Sequence, residues 1–246
     1  MSDYHVTPLV SKLPATVPFV GPETQERDQG YVFKARIGAN ENVFGPSPMA
    51  VQAMAKAALE SWMYGDPEFH DLRQDLAAHF KVAPENIMVG EGIDGMLGYV
   101  SRMFLEPGDL VVTSAGAYPT FNYHVNGYGG KLKFVSYRDD REDLEALLES
   151  AEVEKAKLLY VSNPDNPMGS WWDEQSVRSL MEKVPQGTLL ILDEAYGEFA
   201  PPGTLPPLDV TNTRVLRLRT FSKAYGLAAL RCGYAIASAD LVNYMN

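Results

Sequence analysis

The sequence predicts an α/β fold in which a mainly parallel sheet of seven strands is covered by helices on both faces. Two observations support this prediction. Short apolar runs alternate with helical patterns from residue 86 onward, and polar residues follow most of the apolar runs. Apolar runs that alternate with helices are typical of parallel strands buried on both faces, and ligands of such sheets bind beyond the carboxyl ends of the strands.

The elements can be placed in order along the chain. The first 33 residues are rich in proline, glycine and polar residues and are predicted to form an extended arm. Ser47 and Pro48 then begin a helix as N-cap and first-turn residue. Further helical patterns cover residues 72–80, 96–104, 144–148 and 176–181. The seven strand candidates are residues 87–89, 110–112, 132–135, 158–161, 189–192, 215–218 and 234–236.

Composition excludes several classes of function. The chain has 246 residues and a formal net charge of -11, which argues against nucleic-acid binding because phosphates must be neutralised by a basic surface. No apolar run approaches the roughly 18 residues of a membrane span, and the N-terminus lacks the pattern of a signal peptide. With Cys232 as the single cysteine, a cytoplasmic location is expected. The four histidines show no metal-ligand spacing, so no metal site is predicted.

A glycine-rich turn follows the first strand candidate. Residues 90–95 read Gly-Glu-Gly-Ile-Asp-Gly and open a helix, an arrangement that suits an anion because free N–H groups and the helix dipole point at it. The same pattern fits a dinucleotide site, but the acid expected after the next strand is missing. The turn therefore indicates a phosphate site, with a plain strand–helix turn as the alternative.

Two later strand candidates lead into residues with chemical function. The fifth ends at Asp193, and the sixth leads to Thr220, Ser222 and Lys223, followed by Arg231. A carboxylate and a lysine at one sheet edge suit pyridoxal phosphate (PLP), which needs a lysine Schiff base and an acid at its pyridinium nitrogen. Plainer roles stay open, namely a solvated surface lysine, a helix-capping aspartate and an arginine in a structural ion pair.

The fourth strand candidate is followed by a constrained turn. Residues 163–169 read Asn-Pro-Asp-Asn-Pro-Met-Gly, and the two prolines restrict the backbone around Asn166. Turn formation alone explains such a sequence. Its position at the same sheet edge favours an amide that hydrogen-bonds a ligand.

Together these segments resemble the class I and II, fold-type I PLP-dependent aminotransferases, in particular their histidinol-phosphate aminotransferase branch. The similarity rests on Asn-Pro-Asp-Asn-Pro-x-Gly, Asp-Glu-Ala-Tyr and Ser-Lys-Ala-Tyr-Gly-Leu-x-x-Leu-Arg-x-Gly in that order, and it covers most of the chain. The resemblance implies an N-terminal arm over residues 1–40 and a PLP-binding large domain over residues 41–246. It also implies that the small domain is incomplete, because its C-terminal segment is absent from this sequence.

The resemblance implies a role for each motif. Lys223 would form the Schiff base and move the proton at the substrate α-carbon, and Asp193 would pair with the pyridine N–H. Tyr196 and Asn166 would hydrogen-bond the ring O3′, and Phe121 would stack on the ring. The groups implied at the phosphate are Gly92, Ile93, Asp94, Thr220, Ser222 and Arg231.

The resemblance also implies partners. The substrates would be a small amino donor and a 2-oxo acid acceptor, used in a ping-pong reaction. Tyr64 resembles the tyrosine that reaches the neighbouring subunit's phosphate, which implies a homodimer with shared active sites. Two other activities stay open: a PLP-dependent decarboxylase or lyase on the same scaffold, and a nicotinamide oxidoreductase based on the glycine-rich turn.

Overall fold

A seven-stranded sheet organises the chain in the computed structural model, which describes residues 5–14 and 19–245. The strands are β1 (Ile87–Gly90), β2 (Leu110–Ser114), β3 (Lys131–Val135), β4 (Leu158–Ser162), β5 (Leu189–Asp193), β6 (Val215–Thr220) and β7 (Gly233–Ile236). Their order is β1-β7-β6-β5-β4-β2-β3. Strand β7 is antiparallel to both neighbours, and the other neighbouring pairs are parallel. The predicted mainly parallel sheet is confirmed.

Helices cover both faces of this sheet. They are α1 (Pro22–Gln29), α2 (Pro48–Ala57), α3 (His70–Phe80), α4 (Gly92–Phe104), α5 (Pro119–Gly127), α6 (Leu144–Val153), α7 (Glu174–Lys183) and α8 (Ala239–Met245). Residues of α4, α5 and α8 form one buried apolar cluster with the sheet, and residues of α6 and α7 form another. Every residue of β4, β5 and β6 is buried, as expected of strands enclosed by two helical layers.

Two helices were not expected. Helix α1 lies within the predicted extended arm, where the polar sequence gives no apolar period, but Pro22 at its start and left-handed Gly30 at its end delimit it. Helix α5 begins at Pro119 and contains Phe121, in a stretch for which no helix was predicted. Residues 1–4, 15–18 and Asn246 belong to the predicted arm and large domain but lie outside the described residues. The division at residue 40 stays a prediction.

The predicted helix start at Ser47 is confirmed, because its hydroxyl accepts a hydrogen bond from Met49 N (3.3 Å). The apolar face of α2 contains no buried residue. Beyond it, Leu59, Trp62 and Tyr64 are all exposed. This stretch therefore presents a run of apolar side chains that the described chain leaves uncovered.

The antiparallel direction of β7 places its first residue at the sheet edge where the other strands end. The carboxyl ends of the other strands meet at one edge, and β7 begins there rather than ends there. Gly233, its first residue, allows the backbones to approach, because an added Cβ would lie 3.0 Å from Gly92 Cα. The turn before β7 is thereby brought against the turn after β1.

Candidate active site

A cavity of about 560 Å³ opens at this edge of the sheet. Its wall combines the ends of β4, β5 and β6, the start of α4 and the segment 38–41. Among the predicted site residues, the wall includes Ile93, Asp94, Asn166, Asp193, Tyr196, Thr220, Ser222, Lys223 and Arg231. The structure thus brings together residues from motifs that are far apart in the sequence.

Asp193 is a buried carboxylate at the end of β5. Tyr160 OH donates to its Oδ2 (2.8 Å), and Ala195 N donates to its Oδ1 (2.9 Å). No basic side chain within residues 5–14 and 19–245 forms an ion pair with it. Burial raises the pKa of Asp193 to about 6, and the nearby Lys223 ammonium opposes this rise. Its direct hydrogen-bond donors are therefore neutral, and the nearby Lys223 ammonium also favours its charged form.

Lys223 reaches the same cavity from the segment after β6. Its Nζ donates to Ala39 O (3.0 Å) and lies 5.6 Å from the centre of the Tyr196 ring. Burial lowers the pKa of the Lys223 ammonium below its usual value, and the Arg231 guanidinium adds to this effect, whereas the Glu41 carboxylate opposes it. A lysine in such surroundings has a larger share of the neutral, nucleophilic amine.

The start of α4 and the segments flanking β7 form an anion-sized recess. Gly92 has φ +78°, and a Cβ at this position would lie 2.7 Å from Arg231 Nη2. Only a glycine therefore permits this close approach. Arg231 Nη1 lies 3.5 Å from Ser222 Oγ, and Thr220 Oγ1 donates to Ser222 Oγ (2.9 Å). Hydroxyls, a guanidinium and a helix N-terminus converge here, which is the donor set of a phosphate site.

The carboxylate of Asp94 contacts His124 of α5. His124 Nε2 and Asp94 Oδ1 are 3.1 Å apart, which ties the first turn of α4 to α5. This contact supports the view that Asp94 contributes its backbone N–H, rather than its side chain, to the recess.

Asn166 and Tyr196 lie on the opposite side of the cavity. Tyr196 OH accepts a hydrogen bond from Asn40 Nδ2 (2.9 Å), and burial raises its pKa above the usual value. Asn166 N donates to Ser162 Oγ (3.4 Å), which fixes the turn behind it. The Tyr196 side chain and the Asn166 backbone are thereby held at the wall by neighbours that sequence reasoning had not assigned to the site.

Two predicted residues lie elsewhere. Phe121, the third residue of α5, is fully buried and stacks on Tyr160 with ring centres 4.7 Å apart. The structure does not place Phe121 on the cavity wall, whereas Tyr118, just before α5, lines the cavity. Tyr64 is fully exposed and is not among the residues that line the cavity.

Sequence reasoning missed several wall residues. Tyr160 lies inside a strand, where its hydroxyl was hidden in an apolar run, and Tyr118 was masked by the aromatic residue three positions later. Asn40 carries a signal of its own in the sequence Asn-Glu-Asn before a glycine–proline turn, and it adopts a positive φ of 54°. Within the described residues, no group of three or more His, Cys, Asp or Glu side chains could hold a metal ion.

Comparison with known proteins identifies the family. The family model described as "Aminotransferase class I and II" matches residues 34–246. The chain belongs to the class I and II aminotransferases. Among curated members, histidinol-phosphate aminotransferase 1 of Bacillus cereus is 37% identical over 237 residues, which are 95% of this chain and 64% of that relative. The chain thus spans about two thirds of the length of the curated relatives it matches.

Solved structures support the assignment. A crystal structure of histidinol-phosphate aminotransferase from Sinorhizobium meliloti in complex with pyridoxal-5'-phosphate aligns with a TM-score of 0.93 and 50% identity, covering 100% of this chain and 68% of that chain. Aspartate aminotransferase from Thermus thermophilus with maleate shares the fold at 22% identity (TM-score 0.85, 98% of this chain and 67% of that chain). The predicted fold-type I class of this aminotransferase family member is confirmed. None of its described helices is long and apolar enough to cross a membrane.

Proposed function

We propose that this chain binds PLP at the cavity and acts as an aminotransferase of the histidinol-phosphate aminotransferase type. It would move an amino group between an amino acid or amino-phosphate compound and a 2-oxo acid in two half-reactions. Relatives at 37% and 50% identity carry the name histidinol-phosphate aminotransferase, and one was crystallised with PLP. The comparisons favour neither the decarboxylase nor the oxidoreductase alternative.

The observation that carries this proposal is the unpaired charge of Asp193. A buried carboxylate is costly unless a cation neutralises it, and Asp193 has only Tyr160 OH and Ala195 N as donors. A protonated pyridine nitrogen would supply that cation. When bound, PLP supplies an electron sink that stabilises negative charge at the substrate α-carbon. Asp193 would keep the ring nitrogen protonated, which the sink requires.

The remaining donors fit the other ends of the cofactor. The recess formed by Gly92, Ser222 and Arg231 suits the phosphate, because it offers a guanidinium and a Cβ-free approach to the N-terminus of α4. Thr220 orients the Ser222 hydroxyl through their 2.9 Å hydrogen bond. Asn166 and Tyr196 would hydrogen-bond the ring hydroxyl from the far wall.

Lys223 would hold the cofactor covalently and, once released by substrate, carry the proton to and from the α-carbon. Its lowered pKa supports both tasks, because the free amine is the form that attacks a carbonyl and accepts a proton. The 3.0 Å contact with Ala39 O holds the amine within the cavity.

We further infer a homodimer and a cytoplasmic location. The exposed apolar run of α2 and residues 59–64 would be covered by a second copy, and Tyr64 would then reach that copy's phosphate recess. The free Cys232 is in keeping with a reducing compartment. Sedimentation of the purified chain would test the dimer, and a monomer at micromolar concentration would contradict it.

The direct test is to mix the purified chain with PLP, reduce it with borohydride and locate the modified residue by mass spectrometry. We expect one label, on Lys223. Lys223→Ala should lose the label and all amino-group transfer, whereas Lys12→Ala, a change at an exposed lysine, should lose neither. Labelling of another lysine, or turnover by Lys223→Ala without added amine, would refute the assignment.

A further inference from the structure

A second group of acids lies buried behind Asn166. Glu142 is 1% exposed and Asp165 is 5% exposed, and both contact Ser162, the last residue of β4. Ser162 N donates to Glu142 Oε2 (3.1 Å), and Ser162 Oγ donates to Asp165 Oδ1 (2.9 Å). One serine therefore bridges two buried carboxyl groups.

Hydrogen bonding differs between these two carboxyl groups. Asp165 accepts two hydroxyl hydrogen bonds, from Ser162 Oγ and from Tyr137 OH (3.0 Å). Glu142 accepts one N–H, and its Oε1 has no partner at hydrogen-bonding geometry, although the nearby Ser114 hydroxyl slightly favours its charged form. Two neighbouring buried carboxyl groups do not both ionise, because their charges repel. The negative charge therefore belongs on Asp165, which accepts more hydrogen bonds than Glu142.

The surroundings of Glu142 reinforce this choice. Burial is the main reason that the pKa of Glu142 lies well above its usual value, and the Asp165 and Asp193 carboxylates raise it further. Burial also raises the pKa of Asp165, but hydrogen bonds from Ser162 and Tyr137 oppose that rise. Tyr137 and Tyr160 are neutral, because burial raises their pKa values. No basic side chain in residues 5–14 or 19–245 forms an ion pair with either acid.

We propose that Glu142 and Asp165 form an acid pair that holds a single negative charge, located on Asp165, and that this acid pair positions Asn166 at the cavity wall. Ser162 transmits the effect. Because its hydroxyl donates to ionised Asp165, its lone pairs are free to accept Asn166 N–H (3.4 Å). Glu142, kept neutral, supports the same turn through Ser162 N without adding a second charge beside Asp193.

The protonation part of this inference can be tested without cofactor. Glutamate side-chain carboxyls are labelled with ¹³C in the apo chain, and the Glu142 resonance is assigned by its loss in Glu142→Gln. We expect it at the protonated position at pH 7. Glu145→Gln, a matched change at an exposed glutamate on α6, should remove a different resonance and leave the Glu142 resonance in place. An ionised Glu142 at pH 7 overturns the proposal.

Asp165→Asn provides the second variant, which also serves if Glu142→Gln does not fold. Removing the neighbouring charge should lower the pH midpoint of the one protonated glutamate resonance by about one unit or more. An unchanged midpoint would show that the two acids are not coupled, and would overturn the pair.

The positioning part rests on the proposed function, since it concerns a residue that would contact PLP. Asp165→Asn should weaken PLP binding about three- to tenfold, because Ser162 loses its ionised acceptor. Tyr137→Phe, which removes one donor and leaves the charge, should weaken it about two- to threefold. Unchanged PLP affinity in Asp165→Asn would refute the positioning role. If the wild-type chain bound no PLP, the proposed function would fail, while the NMR result would still decide the charge.

Discussion

Asp193 and Glu194 are adjacent in sequence, and both are buried at the end of β5, but their charges are handled differently. Glu194 binds two arginines, with Arg217 Nη2 at 2.6 Å from Oε1 and Arg219 Nε at 3.0 Å from Oε2. Asp193 faces the cavity and receives only neutral donors. The Glu194 charge is balanced within the chain, whereas the Asp193 charge has no such partner and faces the cavity, in keeping with its proposed pairing with a ligand cation.

The largest effect on stability is expected from breaking the ion pairs of Glu194 with Arg217 and Arg219. Glu194→Gln leaves Arg217 and Arg219 buried with too little negative charge, so the free energy of unfolding should fall by about 3–5 kcal/mol. Urea denaturation measures this change. Glu174→Gln, which breaks only the exposed pair with Arg178, should cost about 0.5 kcal/mol or less. A loss below about 1 kcal/mol in Glu194→Gln would remove the contrast between the two acids.

Asp193→Asn should reduce activity strongly while the chain stays folded. The apo chain should stay folded, but amino-group transfer should slow at least about a hundredfold, or about 3 kcal/mol, because an amide cannot hold the ring nitrogen protonated. Single-turnover absorbance with an amino donor measures the rate, and PLP should still bind. A change smaller than about tenfold would count against this role for Asp193.

The free energy of unfolding of Asp193→Asn should also depend on pH differently from that of the wild type. The folded-state pKa of Asp193 is about 6, above its ordinary 3.8. The folded chain therefore keeps a proton that the unfolded chain releases, and stability falls as the pH rises between these values, by up to about 3 kcal/mol. Asp193→Asn lacks this component, so the difference in unfolding free energy between variant and wild type should grow from pH 4 to 6 and then level off. A flat difference over that range would disprove the shift.

The smallest effect concerns aromatic rings rather than charges. Tyr118 lies on the cavity wall and Phe121 in the core, so Tyr118→Leu should weaken PLP binding about three- to tenfold, the range measured for aromatic pairs. Phe121→Leu should leave PLP binding nearly unchanged and destabilise the fold by about 1–3 kcal/mol. PLP titration and urea denaturation of both variants separate the two effects. If Phe121→Leu weakens PLP binding and Tyr118→Leu does not, the expectation that Tyr118 contacts PLP is wrong.

Strands and motifs of this molecule could be predicted from sequence because their signals are local. The apolar run of β5 and the residues that follow it identify both the strand and Asp193. Ser47 and Pro48 likewise mark the start of α2 within two residues. Helix α1 could not be found in this way, because its residues are almost all polar and only the flanking proline and glycine delimit it.

Partners at the site were much harder to predict, because they depend on long-range contacts. Tyr160 looks like one more apolar strand residue until β4 is placed beside β5, where its hydroxyl meets Asp193. Glu142 reads as a surface residue in a charged stretch, and only the folded chain puts it under Ser162. Tyr118 precedes α5 as its N-cap residue and Phe121 lies in the first turn of the helix, and a short loop-like sequence does not reveal that boundary.

The reversed strand β7 also has a consequence for the order in which the chain assembles as it is synthesised. Strand β1 is at the edge of the sheet and pairs with β7, although about 140 residues separate Gly90 from its partner Gly233. At about 5–20 residues per second, ribosomal synthesis delays that pairing by roughly 7–30 seconds after β1 emerges. The recess between Gly92 and Arg231 therefore forms only after strands β2 to β6 have been synthesised.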